Sequence, residues 1–331
     1  MHFIVTGGAG FIGSHLIEHL LENGHTVTVV DNLSTGKLAN LPQHYQLRFI
    51  FKNILDCQIE DFNSPVDGIA HLAATPSVTQ SWNKPLEAHH NNLSTMISIL
   101  LLCQALQIPR LVFASSAAVY GNKISLPIKE DQPKEPISPY GLQKLVSEQY
   151  GNLFAQDLNI SFVGLRLFNV FGPRQDPNSP YSGVISLFSK AMQNNLPITI
   201  FGDGSQTRDF IYVEDVARAF SQALQIPLKE GSCYICNVGT GRETSLIELV
   251  EILKDSYGRP NPQIVFKHSR VGDIQKSQAD LSQLSTILKF KPEWSVTSGI
   301  KILSESLSNL STARVKALAT WLEFQKNRSF L

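Results

Sequence analysis

Short, almost uninterrupted apolar runs recur through the first half of the chain. They alternate with stretches in which apolar residues return every three or four positions. The runs are HFIVT, TVTVVD, LRFIF, GIAHLA, RLVFAS and ISFVGLRLF. Continuous apolarity in short, β-branched-rich segments predicts strands covered on both faces. Between them, FIGSHLIEHLLENG and PLEAHHNNLSTMISILLLCQALQ carry helical periodicity. Strand–helix alternation predicts an α/β fold with a doubly wound parallel sheet.

From Gly172 onward the pattern loosens. GPRQDPNSPYSG is rich in proline, glycine and asparagine, the composition of a functional loop. Later segments mix short strands, glycine turns and helices, and ARVKALATWLEFQKN predicts a closing helix. The expected organisation is a nucleotide-binding domain over 1–172, to which a segment near 209–240 returns. A smaller, mixed α/β lobe takes 173–208 and 241–331.

Composition narrows this picture only a little. The chain has 331 residues, 43% apolar and 17% charged, with zero formal net charge. That balance argues against a general polyanion binder, while leaving room for a few well-placed arginines. No run approaches the roughly 20 apolar residues that cross a bilayer. The opening MHFIVTGGAG begins a strand at once and lacks a charged-then-apolar leader, so the cytoplasm is the expected location. Cys57, Cys103, Cys233 and Cys236 include one close pair, CYIC, in a β-like run where residues three apart face opposite ways. These are expected to be buried thiols. His15 and His19 stand four apart with no third ligand nearby and read as packing, so no metal is expected.

Chemistry enters at TGGAGFIG, between the first strand and the first helix. Gly7, Gly10 and Gly13 allow a tight turn and close approach of backbone to a pyrophosphate at the helix N-terminus. Asp31 closes the second strand 18 residues after Gly13. A carboxylate there accepts from both ribose hydroxyls and repels a 2′-phosphate, which favours NAD over NADP. The sheet is therefore of the Rossmann type.

A second cluster lies in SPYGLQKLVSEQYGNLF, a predicted helix with Tyr140 and Lys144 on one face. An unperturbed phenol, with a pKa of about 10, is a poor base at neutral pH. A nearby ammonium and a cationic nicotinamide would favour the phenolate.

Together TGGAGFIG, SSAAVYG and YGLQK resemble the extended short-chain dehydrogenase/reductase family. RLFNVFGPRQ, GDGSQTRDFIYVEDV, NVGTG and RVGD are similar to its nucleotide-sugar branch, especially the UDP-sugar 4-epimerases. The resemblance runs from about residue 2 to 305. It implies that Tyr140 is the base on the sugar's 4-hydroxyl, that Lys144 holds the nicotinamide ribose and tunes the tyrosine, and that Ser116 bonds the same 4-oxygen. Tyr120 of VYG is then a motif residue near the site and not the base.

For the cofactor the resemblance implies Gly7, Gly10, Phe11, Ile12 and Gly13, then Asp31 and Asn32. Asn53 and Ile54 follow the third strand, and Leu72, Ala73 and Ala74 the fourth. Asn92, Ser115 and Phe168 complete the set with Tyr140 and Lys144. For the UDP-sugar it implies Ser116, Tyr140, Asn169, Val184, Phe201 on the uracil side, Arg208 and Arg270 on the diphosphate, Asp273 on the ribose, and Ser277. Asn53 departs from the aspartate common in epimerases, but its carbonyl oxygen still accepts from an adenine amino group.

Relatives that dehydrate or decarboxylate the sugar carry acidic residues where this chain has Ala117 and Ala118. A methyl group shuttles no proton. The implied activity is therefore 4-epimerisation with NAD regenerated each turnover. Ser277 falls where glucose/galactose-restricted epimerases tend to place a tyrosine, and a small residue leaves room for an acetamido group. With DPNSPYSGVI, which resembles UDP-N-acetylglucosamine 4-epimerases, this leans to UDP-GlcNAc/UDP-GalNAc, with UDP-Glc/UDP-Gal also accepted. UDP-glucuronate 4-epimerisation and a non-catalytic NAD-binding regulator stay open. The resemblance also implies a homodimer through helices near 86–107 and 138–157.

Overall fold

The computed structural model describes residues 1–62, 65–122, 125–177, 183–269 and 274–308. The alternation runs β1 (His2–Thr6), α1 (Phe11–Glu22), β2 (Thr26–Asp31), β3 (Leu47–Phe51), β4 (Gly68–His71), α2 (Val78–Asn83), α3 (Pro85–His89), α4 (Thr95–Leu106), β5 (Arg110–Ser116), α5 (Pro139–Leu158) and β6 (Ser161–Leu167). Then follow β7 (Asn169–Phe171), α6 (Val184–Asn194), β8 (Ile198–Phe201), β9 (Thr207–Arg208), β10 (Phe210–Tyr212) and α7 (Val213–Gln225). Then come β11 (Cys233–Val238), β12 (Thr244–Ser245), α8 (Leu246–Tyr257), β13 (Ile264–Lys267) and α9 (Ser282–Leu288), and residues 296–308 are again helical.

Seven strands form one sheet in the order β11-β6-β5-β4-β1-β2-β3. Every pairing in it is parallel, as the alternation predicts. Strand order reverses between β1 and β4, whose registers meet at Thr6 and His71. In doubly wound sheets the crevice beyond the carboxyl ends at such a reversal is where ligands bind.

Burial explains the unbroken apolar runs. All seven residues of β6 are buried. One face of the sheet packs Val5, Val112 and Val163 under Leu16, Leu20 and Phe220 of α1 and α7. The other packs Ile4, Phe113 and Phe162 under Met96, Ile99 and Leu100 of α4 and Ala155 of α5. Each fully buried side chain of this size contributes roughly 1.5–3 kcal/mol. A third cluster, with Phe171, Phe188, Ile198 and Leu249, joins β7, α6, β8 and α8.

Helix α5 lies close on the sheet. A Cβ added at Gly151 would stand 2.4 Å from the Phe162 ring, so only glycine admits this approach. Its start is set by Ser138, whose Oγ accepts from Gly141 N at 3.1 Å, and by Pro139 in the first turn. Tyr140 thereby falls in the first turn, over the carboxyl end of β5.

The helix expected over 86–107 forms, with α3 and α4 joined through a π turn, His90–Ser94, in which Asn92 is buried. One expectation needs correction. His15 is buried, yet it is more than a packing residue. Its Nδ1 lies 2.6 Å from Glu214 Oε1 of α7, and its Nε2 lies 3.0 Å from Pro173 O. All four cysteines are free thiols, and burial pushes Cys236 up to about 12. The closing helix expected at 313–327 lies outside the described residues. Among the described residues no helix is long and apolar enough to cross a membrane.

Candidate active site

The cleft begins at the turn between β1 and α1. Gly7 has φ +69°, and a Cβ there would meet Ala73 N at 2.7 Å. A Cβ on Gly13 would meet Gly7 O at 2.4 Å. The turn is thus pressed against the end of β4 and against itself, a conformation only glycines tolerate at these two positions. Helix α1 opens on Gly10 with no side-chain cap and no acidic residue in its first turn. Its first N–H groups and positive dipole end remain for an anion, near Phe11 and Ile12.

Asp31 is buried at the end of β2. Its Oδ2 accepts from Ala9 N at 2.9 Å and its Oδ1 from Leu33 N at 2.7 Å. Burial raises its pKa, and these two bonds oppose that. Both oxygens keep a free lone pair for ribose hydroxyls. The uncapped helix start, the cradle a Cβ would fill and this carboxylate fit NAD. Asn32 lies beside Asp31 and uses its side chain to accept from Ser34 N.

Asn53 caps the turn Ile54–Asp56, with Oδ1 accepting from Leu55 N at 3.1 Å. The carbonyl expected to face adenine is therefore already partly engaged in holding its own loop. Leu72 and Ala73 tie to Thr6, through Leu72 N to Thr6 O at 3.2 Å and Ala73 N to Thr6 Oγ1 at 3.3 Å. Ala74 follows, half-buried. Asn92 accepts from Thr75 N at 2.7 Å and donates to Gln143 Oε1 of α5 at 2.7 Å, joining the π turn to α5.

At the other end of the cleft Lys144 is buried, and Tyr140 and Ser116 are half-buried. Tyr140 and Ser116 share a side-chain hydrogen bond. Lys144 donates from Nζ to Ala114 O at 2.7 Å, with its ammonium 5.8 Å from the Tyr140 ring centre and 4.6 Å from that of Phe113. Burial lowers Lys144 to about 7. Burial raises Tyr140 above its ordinary value, with the Ser116 bond pulling the other way. The direction is opposite to the lowering expected from the sequence, because desolvation outweighs the one hydrogen bond. The cationic ring that the expectation also invokes belongs to the cofactor. Tyr120 is buried too, but its hydroxyl donates to Asn237 Oδ1 at 2.6 Å and receives Arg166, and burial pushes it up to about 12.

Phe168 is buried between β6 and β7, and Asn169 opens β7. Val184 is the first residue of α6. Phe201 ends β8 at an open groove of about 760 Å³ shared with Gly202, Phe266, Lys267, His268 and Ser269. Arg208 donates from Nη1 to Thr207 O at 2.8 Å and Ile274 O at 2.5 Å. Ser277 is buried, 6% exposed. Arg270 and Asp273 lie outside the described residues. No three His, Cys, Asp or Glu among the described residues could hold a metal.

The structure adds groups that sequence reasoning missed. His71, at the end of β4, is stacked on Phe113 and faces Lys144 electrostatically. Glu148 of α5 pairs with Arg166 of β6 next to Ser115. The one signal in the sequence was spacing, since Tyr140, Lys144 and Glu148 repeat every four residues on one helix.

A family model described as "NAD dependent epimerase/dehydratase family" matches residues 3–239. A protein of Methanocaldococcus jannaschii named "Putative UDP-glucose 4-epimerase" is 39% identical over 310 residues, covering 92% of this chain and 98% of that one. Among solved structures, a UDP-N-acetylglucosamine 4-epimerase from Methanobrevibacter ruminantium in complex with UDP-N-acetylmuramic acid superposes with a TM-score of 0.88. It is 36% identical and covers 93% of this chain and 98% of its own. A UDP-glucuronic acid 4-epimerase from Bacillus cereus in complex with UDP-glucuronic acid and NAD gives 0.85 at 32% identity, covering 94% and 100%.

Proposed function

Because this chain belongs to the NAD dependent epimerase/dehydratase family, we propose that it is a UDP-sugar 4-epimerase preferring UDP-GlcNAc and UDP-GalNAc. UDP-Glc and UDP-Gal are further substrates in this reading. The enzyme is an isomerase and NAD is its cofactor. The observation that carries the activity is the half-buried Tyr140–Ser116 hydrogen bond beside the buried Lys144, with two alanines directly after Ser116.

When bound, NAD would supply a hydride acceptor for sugar carbon 4 and a hydride donor to the opposite face of that carbon, so the net reaction is an isomerisation. Gly7, Gly10 and Gly13 with the start of α1 would hold its pyrophosphate, and Asp31 would hold a ribose. Tyr140 Oη takes the proton of the sugar's 4-hydroxyl as carbon 4 is oxidised and gives it back on reduction. Ser116 Oγ bonds the same oxygen and orients it. The Lys144 ammonium stabilises the phenolate formed in between. Arg208, its guanidinium steadied by two backbone carbonyls, meets the diphosphate. Ala117 and Ala118 offer no acid or base, so the 4-keto sugar is returned and not dehydrated.

For the substrate's 2-substituent, the support is the small side chain at Ser277. The Bacillus cereus structure favours a second reading, UDP-glucuronate. A panel of UDP-sugars incubated with the protein and no added NAD, followed by NMR, tests both. The expected result is equilibration of UDP-GlcNAc with UDP-GalNAc; preferential turnover of UDP-glucuronate selects the second reading, and elimination products remove the epimerase assignment.

The division of labour proposed is an NAD-binding part, 1–172 with 209–240, and a UDP-sugar lobe over 173–208 and 241–331. In its support, β11 joins the sheet beside β6. A homodimer is also proposed. Its support is the exposed apolar set Leu86, Leu101, Leu142 and Leu153 on α3, α4 and α5.

A further inference from the structure

Three consecutive residues at the end of β5 hold three successive turns of α5. Ser116 bonds Tyr140, Ala114 O receives the Lys144 ammonium at 2.7 Å, and Ser115 Oγ donates to Glu148 Oε1 at 2.5 Å. Tyr140, Lys144 and Glu148 are four apart and lie one above another on a single helix face. The first two contacts belong to the proposed chemistry. The third has no part in it so far.

Glu148 is buried, and an unpaired carboxylate there would be costly. Arg166 meets it with two prongs, Nε to Oε1 at 2.9 Å and Nη2 to Oε2 at 2.7 Å. Arg166 Nη1 also donates to Tyr120 Oη at 2.8 Å and Glu130 O at 3.0 Å. Tyr120 passes the chain on to Asn237 at the end of β11. The ends of β5, β6 and β11 are thus joined to the catalytic helix through one carboxylate.

On the premise of the epimerase reading, we propose that Glu148 is a positioning residue for Tyr140 and Lys144. Through Ser115 and Arg166 it fixes α5 against the sheet, and its negative charge supports the Lys144 ammonium one turn away. The surroundings are consistent with that role. Burial lowers Lys144, and Glu148 is the group that opposes the lowering. His71 of β4 also faces Lys144, and burial keeps it neutral down to about 3. Facing Glu148 are Arg166, the Cys233 thiol of β11, held neutral up to about 11, and Lys134 from the segment before α5. Tyr120, beyond Arg166, is likewise neutral. An ion pair that only braced the fold would leave the titration of Lys144 untouched.

The test compares wild type, Glu148→Gln and Ser115→Ala by the pH dependence of kcat/KM. Glu148→Gln should move the alkaline limb to lower pH by about one unit. Ser115→Ala loses the hydrogen bond but keeps the charge, so its rate falls while the limb stays. Coincident limbs in wild type and Glu148→Gln, or an equal shift in Ser115→Ala, overturn the proposal. Should Glu148→Gln fail to fold around an unpaired Arg166, Glu148→Gln/Arg166→Met removes both charges, and a smaller shift in the same direction is required of it. Lys144 titration followed by side-chain 15N NMR, assigned with Lys144→Met, needs no turnover. It separates failure of this proposal from failure of the epimerase reading, which would appear as wild-type protein inert on every UDP-sugar.

Discussion

The carboxylate of Asp31 accepts the backbone N–H of Ala9 across the dinucleotide cleft at 2.9 Å. The end of β2 therefore braces the glycine turn while presenting its remaining lone pairs outward. Asp31→Ala removes both the brace and the proposed ribose acceptor. A charge-assisted hydrogen bond contributes about 1.5–3 kcal/mol, so NAD affinity should fall at least tenfold or so. Preference for NAD over NADP should narrow at the same time. Calorimetric titration of cofactor-stripped protein with both dinucleotides measures this, and an unchanged preference excludes the discriminating role.

Tyr140→Phe keeps the ring and deletes the oxygen bonded to Ser116. General acid–base groups contribute roughly 10²–10⁴ in rate. The variant should lose that much of kcat while UDP-sugar affinity stays within about threefold, since ring packing is retained. Rates from NMR and affinities from calorimetry check it. Full retained turnover would remove Tyr140 as the base.

Ser277 is buried, so enlarging it must displace something. Ser277→Tyr should depress kcat/KM for UDP-GlcNAc by about 10–200-fold more than for UDP-Glc, the range open to a steric pocket. Equal losses on the two substrates would mean that Ser277 does not face the 2-substituent.

His71 supplies a pH dependence of stability. Its Nδ1 pairs with Thr6 Oγ1 at 2.7 Å, while its Nε2 is buried without a partner, so protonation is unfavourable. Burial lowers its pKa from 6.5 to about 3, with Lys144 adding to the shift. Between those values the unfolded chain binds a proton that the folded one does not. Stability from this group is then fully present above about 6.5 and declines as pH falls toward 3. Relative to His71→Asn, wild type should lose up to about 3 kcal/mol between pH 6.5 and 4, at 1.36 kcal/mol per unit. Urea unfolding followed by circular dichroism at three pH values reads it; parallel curves for the two proteins would contradict the assignment.

Legibility differed between parts of the site for a physical reason. The glycine turn and Asp31 were visible because each is local, a few residues whose backbone geometry or strand end is set by near neighbours. The π turn at His90–Ser94 was not, because nothing in its apolar periodicity distinguishes it from continued α-helix. Asn53 showed its chemistry but not its engagement with Leu55 N, which depends on the loop's path. Tyr120 could be set aside as the base only by resemblance; its commitment to Asn237 and Arg166 became visible when β6 and β11 were placed beside β5.

The sequence by itself determined the first six strands, the order of motifs, the parallel sheet and the common helix face of Tyr140 and Lys144. These follow from periodicity and from spacing along one helix, which are properties of short stretches of chain. Only the tertiary structure decided which buried polar groups meet. Glu148 finds Arg166 18 residues away, and His15 finds Glu214 199 residues away. Such pairings depend on strand order and helix placement, because a buried charge or ring nitrogen takes whichever partner the packing brings to it.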